Sequence, residues 1–419
     1  MTEAPSMSEF SADRPLVDPA LDRLGYAPFA RHVASCLALS DPRDGLVVAL
    51  YGQWGCGKTT VINFIRHYLK EEHAGRSCPV SVFFNPWWFS SDEDLLRAFF
   101  VALSTSLSKD LAKKKRLKDA IGNLLELASH VPIHGASGLK VVGDALRREK
   151  TIPGLKEEIS AFLRKEKVRL LVIIDDLDRL APSEIRQVFR IVKSVCDFQN
   201  VTYLLAFDRD AVAQALGSEV RVPGRTYLEK IVQIPFDIPL PDKAALRGML
   251  FERLNVLLAE TPEDLFERQR WSSVYLEGID PLITLPRHIV RLVNALKLSY
   301  PSVRDEVNAV DFIGVEALRV FCPPVYEVLR SRPDAFVGGR FVGFATEIGR
   351  EKQKEFHEKL LSQLEEGQRK AIERGDWSVS SSRWSTVSSR AIRTDRASRR
   401  AGGGLSGFAV RMCSPRISG

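Results

Sequence analysis

The sequence has no CxxC pair and no HExxH. Its six cysteines (Cys36, Cys56, Cys78, Cys196, Cys322, Cys413) and seven histidines are scattered along 419 residues, which excludes the common zinc-site spacings and a secreted disulfide framework. No stretch approaches about 18 consecutive apolar residues, so no membrane-spanning helix is expected. The N-terminal MTEAPSMSEF is acidic and interrupted by proline. It lacks the basic and apolar regions of a secretory signal, and reduced thiols in a chain without an export signal predict a cytoplasmic protein.

A broad excess of one charge sign is also missing. The formal charge is +7, but residues 377–419 hold eight arginines, no lysine and one acid, Asp395, and residues 1–376 hold 52 basic and 52 acidic side chains. The excess therefore belongs to a Ser/Arg/Gly-rich tail without apolar periodicity, which is expected not to pack. Two readings of the tail stand: a disordered binding segment, or an out-of-frame end, since its composition is that of translated GC-rich DNA.

What is present is an alternation of strands and helices. Apolar, β-branched runs at 45–52, 80–84, 170–174, 201–207 and 231–238 read as strands, and such runs belong to strands buried on both faces. Helical patterns lie before and between them, at 18–39, 59–69 and from Pro182 onward, where Ile185, Val188, Phe189 and Val192 share a face. The prediction is an α/β fold, a parallel sheet with helices on both faces. The sheet core spans 16–242 after a disordered 1–15, with a mostly helical, charged insertion at 92–166. Helices at 243–260, 286–300, 309–320 and 350–374 make up a helical region over 243–376, and 377–419 is expected to be disordered.

Gly52-Gln53-Trp54-Gly55-Cys56-Gly57-Lys58-Thr59 fits GxxxxGK[ST] at every defined position, between a predicted strand and a predicted helix, the context this phosphate-binding loop requires. The backbone N–H groups of Gly52, Trp54, Gly55, Cys56, Gly57, Lys58, Thr59 and Thr60 are the expected phosphate cradle at a helix N-terminus. Lys58 is placed at the β/γ-phosphates, and Thr59 and Asp175 are assigned to Mg²⁺. Asp175-Asp176 ends the all-apolar 170–174 strand, where nucleotides bind in open parallel sheets. Asp176 is read as polarising the attacking water, against the alternative of a carboxylate that caps the following turn. Arg179 is either an ion-pair partner of these acids or a phosphate-sensing charge. The guanine-selecting NKxD pattern does not occur, so ATP is the expected nucleotide.

Several segments together resemble the KAP family of P-loop NTPases: Asp22–Ala30, Tyr51–Thr60, Phe84-Asn85-Pro86-Trp87-Trp88, Ile174–Leu180, Ala206–Arg209, Tyr227–Pro235 and Leu285–Arg291. The resemblance covers residues 18–300 and implies a P-loop core with an additional strand, near the STAND and AAA+ groups, with a helical lid. It implies ATP hydrolysis coupled to assembly or signalling, and in bacteria an association with phage or plasmid exclusion. Many members carry transmembrane helices between the loop and the acidic strand. Here the uncharged run Leu127–Leu139 in that interval contains Ser, His, Pro and Gly, so the chain resembles a member without them.

By the same resemblance Asp208 takes a sensor position, or else caps the next helix, and Arg287 resembles a second sensor reaching back to the phosphates, or else is a solvated arginine. Trp87-Trp88 is either core filler or a partner-contact surface. Turnover is expected to be slow, because no arginine finger is evident within the chain. Self-association or a protein effector is the expected partnership. Two other functions remain open: a nucleic-acid-engaging ATPase using the tail and Lys113–Arg116, and a nucleotide-binding scaffold without turnover.

Overall fold

The computed structural model describes residues 12–40, 45–73, 78–88, 168–195, 198–219, 223–331 and 358–374, together with Phe10 and scattered helical positions within 95–103 and 157–165. The expected helical insertion, the Lys113–Arg116 run and the 377–419 tail fall largely or wholly outside the described residues. The described chain divides into two units, Pro15–Leu240 and the residues up to Arg14 with those from Pro241 onward.

The first unit is built on five strands: β1 (Leu46–Tyr51), β2 (Val80–Phe84), β3 (Leu170–Ile174), β4 (Val201–Phe207) and β5 (Ile234–Asp237). All observed pairings are parallel, and the order is β2-β3-β4-β1-β5. β4 thus lies between the strand that feeds the glycine-rich loop and the strand that ends in Asp175, which is the additional strand the resemblance implies. β3 and β4 are buried at every position. Val47, Ala49, Val172, Ile174, Tyr203 and Leu205 line one face, in a core with Val188, Phe189, Val212 and Leu228. The alternate residues Val48, Leu50, Leu171, Ile173 and Leu204 are as deeply buried, so both faces are covered.

Helices α1 (Tyr26–Leu39) and α2 (Lys58–His73) pack against one another. The expected helix over 18–39 is corrected at its start: a 3-10 turn occupies Pro19–Leu21, and α1 begins at Tyr26 after Gly25 at φ 76°. Asp22 accounts for the break, its carboxylate accepting from Leu24 N at 3.0 Å and Ala27 N at 2.7 Å, which satisfies N–H groups that an entering helix leaves unpaired. Helix α3 (Pro182–Arg190) continues into a π-helical turn, Ile191–Val195. Helices α4 (Arg209–Glu219) and α5 (Gly224–Ile231) follow β4.

β5 is shorter than the expected 231–238, because Ile231 completes α5. Gln233 then pairs with Val47 twice, its N–H donating to Val47 O at 2.9 Å and its side-chain oxygen accepting from Val47 N at 2.8 Å. As an exposed edge strand, β5 tolerates Pro235.

The second unit is helical where described: α6 (Lys243–Leu257), α7 (Arg268–Ser273), α8 (Pro286–Ser299), α9 (Ala309–Phe321), α10 (Pro323–Ser331) and α11 (Glu366–Arg374), with short 3-10 and π turns between them. Asp280 joins two of its segments, accepting from Arg247 Nε and a terminal nitrogen at 2.8 Å each and from Tyr275 Oη at 3.2 Å. The Arg247 guanidinium holds this carboxyl below the usual range. The expected helix over 350–374 is interrupted at 362–365, and 350–357 fall outside the described residues.

Two glycines predict opposite responses to alanine. A Cβ on Gly224 would lie 1.9 Å from the Ala213 carbonyl oxygen, so Gly224→Ala forces α4 and α5 apart and is expected to destabilise by about 3 kcal/mol or more. A Cβ on Gly248, inside α6, meets nothing within 4 Å, and Gly248→Ala is expected to stabilise by up to about 1 kcal/mol. Urea unfolding of the two variants checks both signs.

Candidate functional site

The glycine-rich loop leaves β1 at Gly52, whose N–H donates to Phe207 O of β4 at 3.2 Å. Gly55 and Gly57 adopt φ 93° and 99°, a region that glycine enters without steric cost. Gly52 is fixed by space instead, since a Cβ there would sit 2.6 Å from Cys56 Sγ. Lys58 opens α2, and its buried ammonium donates to Gly52 O at 3.0 Å and to Asp178 Oδ2 at 2.8 Å. Asp178 Oδ2 also accepts from Asp208 N at 3.1 Å. The ends of β1, β3 and β4 are thereby joined through one ammonium and one carboxylate.

Thr59 Oγ1 donates to Asp175 Oδ2 at 2.8 Å, and Asp176 N donates to Asp175 Oδ1 at 2.9 Å. The Asp175 carboxyl is pushed up to about 6, chiefly by burial and further by the neighbouring Asp176 charge, against the lowering effect of the Thr59 hydroxyl. A hydroxyl and a carboxylate side by side are hard oxygen donors of the kind that hold Mg²⁺ together with substrate phosphates and water. Among the described residues no group of three His, Cys, Asp or Glu forms an all-protein cage, so the donor set fits a cation that arrives with phosphate.

Asp176 sits at φ 61°, ψ 31° before the short turn Leu177–Arg179, a left-handed conformation that Asp tolerates better than most residues. Both its oxygens have donors, Oδ2 from Asn85 Nδ2 at 3.0 Å and Oδ1 from Arg179 Nε at 2.8 Å. Of the two readings of Arg179, the ion pair is the contact observed. The Arg179 guanidinium also lies 5.0 Å from the ring centre of Trp87 and 5.8 Å from that of Trp54. Trp87 is 53% exposed and is therefore not core filler; the Trp88 side chain falls outside the described residues.

Asp208 Oδ1 accepts from Asp210 N at 3.0 Å and Ala211 N at 3.2 Å, the bonds of a cap on α4. The Thr60 hydroxyl accepts from Leu16 N at 3.1 Å. Arg287 lies in the helical unit, in the first turn of α8, with Nε 2.5 Å from Asp13 of the same unit.

Two side chains at the site had been given no role in the sequence. Tyr26 Oη donates to Cys56 O at 2.6 Å, and its ring edge lies 3.3 Å from where a Gly57 Cβ would stand, so α1 clamps the loop from outside. Burial raises the pKa of this phenol, which stays a donor at neutral pH. Asn85 reaches Asp176 from the end of β2. Both lie in segments that carry the family resemblance, but neither segment shows what its polar atom meets.

Comparison with known proteins follows the same lines. The family described as KAP family P-loop domain matches residues 26–303. A phage T7 exclusion protein of Escherichia coli (strain K12) is 26% identical over 351 residues, which are 75% of this chain and 47% of that protein. The chain thus spans about half the length of this curated relative. Among solved structures, the ORC2 protein of Aeropyrum pernix aligns with TM-score 0.37 and 14% identity, covering 83% of each chain. The Walker-type ATPase of Pyrococcus abyssi aligns with TM-score 0.37 and 12% identity, covering 77% of this chain and 80% of that one.

The raised Asp175 pKa has a definite sign for stability. Its folded value lies above the ordinary 3.8, so the contribution is fully present below about pH 4 and is lost as pH rises through about 6. In chelator and without nucleotide, Asp175→Asn is therefore expected to gain on wild type between pH 4 and pH 7.5, by about 3 kcal/mol. Urea midpoints across that range read the difference, and a constant difference would contradict the burial argument.

Proposed function

The chain belongs to the KAP family of P-loop domains, and on that premise we propose that it is a Mg²⁺-dependent ATPase working as a nucleotide-driven switch or assembly ATPase. The observation that carries this reading is the Lys58–Thr59–Asp175–Asp176 constellation. A lysine, a hydroxyl and two strand-end carboxylates converge beside a loop whose glycines leave its backbone open to phosphate.

In this reading the N–H groups from Trp54 to Thr60 and the α2 N-terminus receive the phosphate oxygens. Lys58 turns from Asp178 to the β/γ-phosphates, exchanging one anionic partner for another. Thr59 and Asp175 hold the Mg²⁺, which when bound offsets charge on the phosphates. Asp176 orients the attacking water and accepts its proton. Asp208 sits where a change at the phosphates reaches α4, since its N–H shares the Asp178 oxygen that Lys58 uses. Arg287 is proposed to act from the helical unit as a second phosphate-sensing charge, released from Asp13. The similarity to a phage T7 exclusion protein supports a role in excluding phage, with self-association or a protein effector as the partnership.

Hydrolysis assays on purified protein test the reading. Wild type is expected to release phosphate from Mg·ATP slowly, and Lys58→Ala to lose at least about 100-fold in kcat/KM while remaining folded by circular dichroism. Asp176→Asn is expected to keep nucleotide binding and lose turnover. If wild-type protein neither binds nor hydrolyses ATP at millimolar concentration, the reading is wrong.

A further inference from the structure

The pairing of Arg179 is not accounted for by phosphate binding or metal binding. Its guanidinium is 2.8 Å from Asp176 Oδ1, and it faces the rings of Trp87 and Trp54 at 5.0 and 5.8 Å. The three partners come from three places: Trp54 from the glycine-rich loop, Trp87 from the turn after β2, and Asp176 from the end of β3. Trp54 and Trp87 are 56% and 53% exposed. Indoles left this far in water are not explained by core packing, whereas a cation over their faces gives them a partner.

Asn85 holds the other oxygen of Asp176, and it belongs to the same turn as Trp87, whose backbone N–H donates to Asn85 Oδ1 at 3.0 Å. Asp176 is therefore held from both sides by groups that Trp87 helps to place, on a backbone in the left-handed region. Donors on both oxygens fix the direction in which the Asp176 carboxylate points, and turning it towards an attacking water has to lengthen one of these bonds.

We propose that Arg179, held between Trp87 and the loop residue Trp54, is a positioning residue that restrains Asp176, and that filling of the loop by triphosphate loosens the restraint through Trp54. This deepens the ATPase reading and rests on it. It places the control on turnover rather than on binding: the phosphates meet the backbone N–H groups of the loop and Lys58, Arg179 faces the loop through the Trp54 ring, and the charge-assisted bond that must yield is the one to Asp176. Arg179 contacts no reacting atom and acts only through Asp176.

The test separates kcat from KM. Trp87→Leu removes the nearer ring from an exposed position, so folding should be preserved. It is expected to raise kcat for Mg·ATP about 3- to 10-fold, with KM and the Kd of a fluorescent ATP analogue within about two-fold of wild type. Trp87→Phe, which keeps a ring face, is expected to return kcat towards wild type. Arg179→Gln, which removes the cation itself, is expected to raise kcat in the same direction.

An unchanged or lowered kcat in Trp87→Leu and Arg179→Gln, with analogue binding intact, overturns the restraint and leaves the ATPase reading standing. Absence of analogue binding in wild type overturns the ATPase reading and the restraint with it. A rise in kcat matched by an equal change in KM assigns the ring to nucleotide binding and also overturns the proposal.

Discussion

The bond between Lys58 and Asp178 sets the shape of the site. Their side chains are 8% and 4% exposed, and a buried charge left alone would cost several kcal/mol. The ammonium is compensated by Asp178 and Gly52 O, and the carboxylate by Lys58 and Asp208 N. This arrangement depends on the strand order. Because β4 stands between β1 and β3, the lysine after β1 reaches the acid after β3 across the end of β4, and the backbone of Asp208 closes the bridge. A sheet in which β1 and β3 were neighbours would bring Lys58 and Asp178 together without passing β4, and the first residue after β4 would have no part in it.

The parts of this architecture legible in the sequence are those that local chemistry dictates. β3 and β4 are unbroken apolar runs because both their faces are covered, and their observed bounds are those the runs predict. The loop is legible because its glycines answer to backbone geometry, as the positive φ values of Gly55 and Gly57 show. Element ends were read less well where a side chain overrides periodicity. Asp22 bonds the first turn of α1, which starts at Tyr26, eight residues after the expected start at 18, and Ile231, an apolar residue suited to a strand, is spent on the last turn of α5.

What the sequence concealed are contacts between residues far apart in the chain. Tyr26 meets Cys56 thirty residues away, and Asn85 meets Asp176 across ninety-one. Composition and spacing carry no trace of such pairs; a Tyr in an amphipathic helix reads as core, and an Asn before Pro reads as a turn. Trp87 shows the converse. Of core filler and contact surface, the exposed ring with Arg179 over its face excludes the first, and sequence alone could not separate them. Asp208 illustrates a residue whose alternatives stay compatible, since a carboxylate capping α4 through Oδ1 leaves its backbone N–H on Asp178.

The distribution of charge around the loop gives a reason for nucleotide and cation to arrive together. Lys58 is matched by Asp178, and Arg179 by Asp176. Among the described residues Asp175 accepts from the Thr59 hydroxyl and the Asp176 amide, and it is an acid whose pKa burial drives upward. A phosphate chain approaching Lys58 without a cation would add negative charge beside a carboxylate already short of compensation. Among the described residues a cation without phosphate would find the Thr59 and Asp175 oxygens, with water left to complete the six ligands that a hard ion prefers. Each would be held weakly alone, and each relieves the other's deficit. Residues 1–376 carry 52 basic and 52 acidic side chains, so a net positive charge of that body is not what would draw an anionic ligand to the loop. The arginine-rich tail carries the excess of positive charge that sets the isoelectric point.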